Sequence, residues 1–166
     1  MVKAVGLLRE RGIELVEKSR SDMGAFRSSI RAVIVADGCE YIASGTLFGN
    51  DMPRLVRLGE YRLEAYLDGN LMIFSHDDVP GTLGVVVTII GRHNVNSAQM
   101  AVGRAGDNSV AASLGLLPLA GVPPDDARSA VLHHPLIRTF DGIVLPTLGG
   151  GRSLLCVCPL PGPPTP

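Results

Sequence analysis

The sequence predicts an α+β fold: antiparallel hairpins in the first sixty-odd residues, then a βαββαβ unit, then a disordered tail. Three observations carry that prediction. Turn signals at Asp37-Gly38 and at Gly59 separate runs rich in β-branched residues. After Asp68-Gly69-Asn70 the pattern restarts, and apolar strands alternate with two helical segments. From Gly149 the chain reads GGGRSLLCVCPLPGPPTP, with a glycine triplet, five prolines and no acidic residue.

Taken in order, residues 2–11 read as a short helix, with Gly12 as its C′ residue. Residues 13–17 alternate apolar and charged, as a half-buried strand does. Residues 28–36 carry Ile30, Val33, Ile34 and Val35; with Asp37-Gly38 and residues 41–47 they form a hairpin. Residues 54–58 and 61–66 form a second strand pair around Gly59. The boundary at Asp68-Gly69-Asn70 divides the chain into 1–68, 69–147 and a tail, 148–166. Beyond it come strand 71–74, helix 81–92, strands 95–103 and 110–117, helix 124–133 and strand 137–145. That order is the ferredoxin-like arrangement. The first of these helices carries an apolar stripe, Leu83, Val86, Val87 and Ile90. The second opens on Pro123-Pro124-Asp125-Asp126, where proline and acids favour a start, and stops before Pro135.

Bulk properties exclude several classes. At 166 residues and 46% hydrophobic, the chain can build one or two small domains with a real core. A net charge of −1 gives no reason to expect nucleic-acid or anionic-membrane binding, and 4% aromatics without Trp offer no base-stacking surface. Cys39, Cys156 and Cys158 form no disulfide framework, and the C-x-C pair lacks the further ligands a zinc site needs. Charges interrupt the apolar N-terminal run, so no signal peptide is expected, and no apolar run approaches the ~18 residues of a membrane span. A soluble, cytoplasmic protein without a bound metal is expected.

The run LMIFSHDDVPGTLGVVVTIIGRHNVNSAQ, Leu71 to Gln99, holds the candidate site. An acidic turn between strand and helix suits a small zwitterion. The helix N-terminus offers N–H donors and a positive dipole end to a carboxylate, and Gly81 lets a ligand approach the backbone. Pro80 suits the first helical position. Asp77 or Asp78 can hold an ammonium; Asn96 both donates and accepts; His76 can reach a small polar side chain. Against this stands a plainer reading, in which Asp77 and Asp78 are a solvated turn and Asn96 a turn amide. Arg54, Arg57 and Arg62 cluster on neighbouring strands, either as an anion site or as solvated charges. No nucleophile–base arrangement and no G-x-G-x-x-G after a strand is present, so no catalytic residue is assigned.

These residues carry a resemblance. Residues 71–145 resemble an ACT domain, an amino-acid-binding regulatory module. RERGIELVE, followed by ASGTLFGNDMPRLVRLGEYRLEA, resembles the region upstream of that domain in long-form D-3-phosphoglycerate dehydrogenases, part of an intervening domain that binds substrate or anions. The resemblance implies effector contacts at His76, Asp78 and Asn96 beside Gly81, with L-serine between two ACT domains and hence a homodimer. It also implies that the first half of the intervening domain and the catalytic domains, with their NAD, lie off this chain, so that no catalysis is expected from it alone. A ligand-free dimerisation module and a regulatory subunit acting in trans on a separate dehydrogenase chain are the alternatives.

Overall fold

Asp37 and Gly38 both take positive φ, 52° and 77°, which a two-residue type I′ turn requires. They join β1 (Ser29–Ala36) to β2 (Cys39–Phe48), with Ala36 opposite Cys39. Gly59, at φ 58°, turns β3 (Met52–Leu58) into β4 (Tyr61–Tyr66). Then follow β5 (Asn70–His76), α1 (Thr82–Arg92), β6 (Ala101–Ala105), β7 (Ser113–Leu119), α2 (Asp125–Leu132) and β8 (Ile137–Val144). The computed structural model describes residues 6, 8–18, 28–49, 52–105 and 112–145. The expected tail, with Cys156 and Cys158, lies outside the described residues.

All eight strands form one antiparallel sheet in the order β1-β2-β3-β4-β6-β7-β5-β8. At Asp68-Gly69-Asn70 the chain turns, with Gly69 at φ 63°, but the sheet runs on. β4 pairs with β6, setting Tyr61 opposite Ala105 and Arg62 opposite Arg104. The sheet curls towards a half-barrel and brings β4 near β7.

Two cores result, one on each face. On one face α1 and α2 cover Met72, Phe74, Leu117 and Leu119 with Val86, Ile90 and Val131. Packing here is tight: a Cβ on Gly115 would sit 2.2 Å from the Phe74 ring, so only glycine fits under it. On the other face the curl gathers Leu55, Leu63 and Ala65 against Leu71, Ile73, Leu114 and Leu116. No helix among the described residues is long and apolar enough to cross a membrane.

Several expectations change. Gly12, at φ 72°, does end a helical turn: its N–H bonds Arg9 O, and Ile13 N–H bonds Leu8 O, as in a Schellman cap. The strand expected over 13–17 is not formed, and Ile13, Leu15 and Val16 are exposed. Alternation alone makes no strand, and no neighbour among the described residues supplies a ladder here. The strand expected from 95 begins only at Ala101. Before it, Ser97 makes a single bridge to Leu119 and spends its hydroxyl on Gln99 O and Pro118 O, local bonds that compete with a ladder. β7 runs from 113 to 119, two residues past the expected end at 117; positions 110 and 111 of the expected strand lie outside the described residues. Gly81 is the N-cap of α1, at φ 93°, so Pro80 precedes the cap and does not open the helix. Val87 is 44% exposed, because the helix meets the sheet along Thr82, Val86 and Ile90, one turn apart, with Leu83 and Ile89 as flanks. In α2, Pro124 is the N-cap, with Asp125 and Asp126 in the first turn.

Candidate functional site

β5 ends at His76, and residues 77–81 carry the chain over the sheet end into α1. Asp77 N–H bonds Leu136 O at 3.0 Å, and Val79 N–H bonds Asp77 O at 2.8 Å. This small turn holds two carboxylates beside the start of α1. No side chain caps that helix, and its first turn holds no acid. Thr82 N–H bonds Val79 O at 3.3 Å, so what the helix start offers an anion is its next N–H groups and its positive dipole end.

His76 is 1% exposed. Its Nδ1 lies 2.8 Å from Asp77 O. A carbonyl only accepts, so Nδ1 donates this bond, and in that tautomer Nε2 is left as an acceptor. Among the described residues that Nε2 has no partner, and neither has Ser113 Oγ, on the residue directly opposite on β7. An unpaired buried polar atom is costly, and a donor arriving from a ligand would satisfy it.

His76, Asp78, Pro80, Gly81 and Arg104 line a cleft of about 280 Å³. That is just below the ~300–1,000 Å³ of pockets for drug-sized molecules and suits a small metabolite. Arg104 Nε donates to Asp78 Oδ2 at 2.8 Å, and Nη2 lies 3.5 Å from Oδ1. Asp77 pairs with Arg138 instead. The structure thus brings His76, Asp78 and Gly81 together. It does not bring Asn96 to them within this chain: Asn96 is exposed, its Oδ1 accepts from Ser97 N–H at 3.0 Å, and its carbonyl accepts from Ala120 N–H.

The arginine cluster divides. Arg54 is 9% exposed, stacks 3.8 Å above the Tyr66 ring and donates to Pro53 O; packing holds it. Arg57 and Arg62 stand opposite each other and line a second cleft of about 410 Å³ with Ser44 and Glu64. Arg57 Nε already donates to Gly59 O at 2.8 Å.

Arg104 is the residue sequence reasoning missed. The alternation of Ala101, Val102, Gly103, Arg104 and Ala105 shows which face it takes, but not that Asp78 awaits it. Among the described residues no group of three or more His, Cys, Asp or Glu side chains converges as a metal site. Burial pushes up the Tyr61 hydroxyl, with help from Glu60, and the Asp141 carboxyl; neither lines the cleft.

Fold and cleft together define a class: an antiparallel-sheet module with a small charged cleft at a helix N-terminus. Comparison with known proteins makes the class particular. Residues 1–59 match the family model of the D-3-phosphoglycerate dehydrogenase intervening domain. The chain is 35% identical over 144 residues to D-3-phosphoglycerate dehydrogenase of Archaeoglobus fulgidus, covering 87% of this chain and 26% of that protein. The same-named enzyme of Bacillus subtilis is 30% identical over 103 residues, covering 62% and 20%. That of Methanocaldococcus jannaschii is 29% identical over 140 residues, covering 83% and 26%. The resemblance carried by SGTLFGN and its surroundings is thus shared with known proteins: residues 1–59 match the intervening domain, and the chain has partial homology to the C-terminal region of D-3-phosphoglycerate dehydrogenases. It spans 20% to 26% of the length of these relatives.

Proposed function

We propose that the chain is an amino-acid-binding regulatory module of D-3-phosphoglycerate dehydrogenase. In this reading residues 69–147 are an ACT domain and residues 1–68 part of the intervening domain. L-serine binds at His76, Asp78 and Gly81, and Asn96 of a second copy completes the site across a dimer interface. The observation that carries the reading is the cleft that His76, Asp78, Gly81 and Arg104 line at the start of α1, where His76 Nε2 is buried and has no partner among the described residues. The helix N-terminus takes the carboxylate, while Asp78 and His76 Nε2 take the ammonium and hydroxyl. Binding then biases the conformation of a dehydrogenase, on the same or a separate chain, through a coupling of typically ~1–3 kcal/mol. Any NAD belongs to that catalytic part. Arg57 and Arg62 form a separate anion site.

Titration calorimetry tests the reading. L-serine is expected to release or absorb heat in the millimolar range or below, and Asn96→Ala to weaken it at least tenfold. A folded dimer that gives no heat with millimolar L-serine would sink the binding reading. An Asn96→Ala variant that binds as well as the parent would sink that residue's assignment. A second reading, an assembly module without ligand, is favoured by the exposed apolar residues of β1 and β2. A dimer indifferent to every amino acid is its signature.

A further inference from the structure

Arg104 reaches the cleft through strand register. On β6 it stands opposite Arg62 on β4 and Ser113 on β7, and Ser113 stands opposite His76 on β5. Directly opposed residues of neighbouring strands project from one face. Arg57, opposite Arg62, extends the row onto β3. One face of the sheet thus presents Arg57, Arg62, Arg104, Ser113 and His76 in line. Gly103 fixes the placement. A Cβ there would come to 3.0 Å from Arg62 O and 3.1 Å from Tyr61 Cβ, so a larger residue would press β6 a few tenths of an ångström away from β4.

At one end of this row two buried polar atoms, His76 Nε2 and Ser113 Oγ, lack partners among the described residues. At the cleft mouth Arg104 is held by Asp78 alone among the described carboxylates. The hold is loose. The Arg104 side chain is 72% exposed, against 25% for Asp78, and exposed ion pairs contribute little. The guanidinium fork is also only partly used, with one contact at 2.8 Å and the other at 3.5 Å. Arg62, directly opposite, adds a like charge that a further carboxylate would relieve.

We infer that Arg104 is a ligand-binding residue, and that the Asp78–Arg104 pair is the closed, ligand-free form of a zwitterion receptor. The inference rests on the amino-acid reading above and assigns one more residue to that site. On binding, the ion pair opens and each half takes the complementary end of the ligand. The ligand carboxylate occupies the Arg104 fork together with the N–H groups of α1. The ligand ammonium occupies Asp78 and donates to His76 Nε2. No proton is transferred and no covalent bond changes. Every charge that loses a partner gains one, so the exchange leaves no buried charge unpaired. A ligand with only one of the two charges gains only one of these contacts and binds more weakly.

Calorimetry on the full chain tests this with L-serine, L-serinamide (no carboxylate) and D-glycerate (no ammonium). The expected result is that L-serine binds more tightly than either analogue and is weakened at least tenfold by Arg104→Gln, with unchanged thermal unfolding of the variant. If Arg104 merely props Asp78, its substitution should have no effect in an Asp78→Asn background. The inference expects Arg104→Gln to weaken L-serine at least fivefold there too. Overturning results are L-serinamide binding within threefold of L-serine, or an Arg104→Gln variant that binds L-serine like the parent. Those outcomes leave the amino-acid reading standing; loss of L-serine binding in the unaltered protein removes that reading itself.

Discussion

β1 and β7 are both apolar strands of nearly equal length, and their fates are opposite. All seven residues of β7 are buried; all eight of β1 are exposed. β7 lies between β6 and β5, with the helices over one face and the curled sheet over the other. Among the described residues β1 has one neighbour, β2, and Ile30, Val33, Ile34 and Val35 are exposed. Apolar composition is enough to make a strand; burial needs a cover on the face and a partner on the edge. An uncovered apolar edge strand is a template for association. Hence the β5–β8 half holds its own core, whereas the β1–β2 half offers a surface.

The sharpest way to break this comparison is on the covered side. Phe74→Ala empties the space over Gly115 beneath α1 and α2, and is expected to cost about 3–5 kcal/mol, read by urea unfolding. A loss below about 1 kcal/mol would show that the helices do not depend on that ring. On the uncovered side, Ile34→Thr is expected to change stability by no more than about 0.5 kcal/mol, while light scattering shows less self-association. A cost comparable to that of Phe74→Ala would mean that β1 is covered in solution.

The smallest effect concerns Asp141 on β8. Burial raises its carboxyl above the ordinary range, and Arg128 pulls it partly back. A raised value means that the protonated form is favoured in the fold. Its contribution is full below the ordinary carboxylate range and is lost as pH rises through the raised value. Asp141→Asn resembles the protonated form, so it is expected to raise the Tm slightly at pH 7 and leave it unchanged at pH 3. Equal shifts at both pH values would show that burial of the charge is not the cause.

Much of this was legible residue by residue. Gly12, Asp37-Gly38 and Gly59 announced their turns because positive φ leaves few alternatives to glycine, Asn or Asp. The βαββαβ order was legible because period 2 and period 3.6 differ over short windows. Strand ends were less so: Ser97 reads as a strand residue until its hydroxyl is seen spent on two carbonyls. Val87 belongs to the apolar stripe on the helix alone, and only the sheet's position shows that it faces outward.

By itself the sequence determined the turns, the two helices, the order of elements and the placing of His76, Asp78 and Gly81 around one strand-to-helix turn. Those depend on contacts between residues close in the chain. Tertiary structure alone decided that β4 joins β6, that Arg104 meets Asp78, that Asn96 stays apart within one chain, and that β1 remains bare. Each of these is a pairing between segments far apart in sequence, settled by register and curl in a sheet whose local patterns permit more than one neighbour.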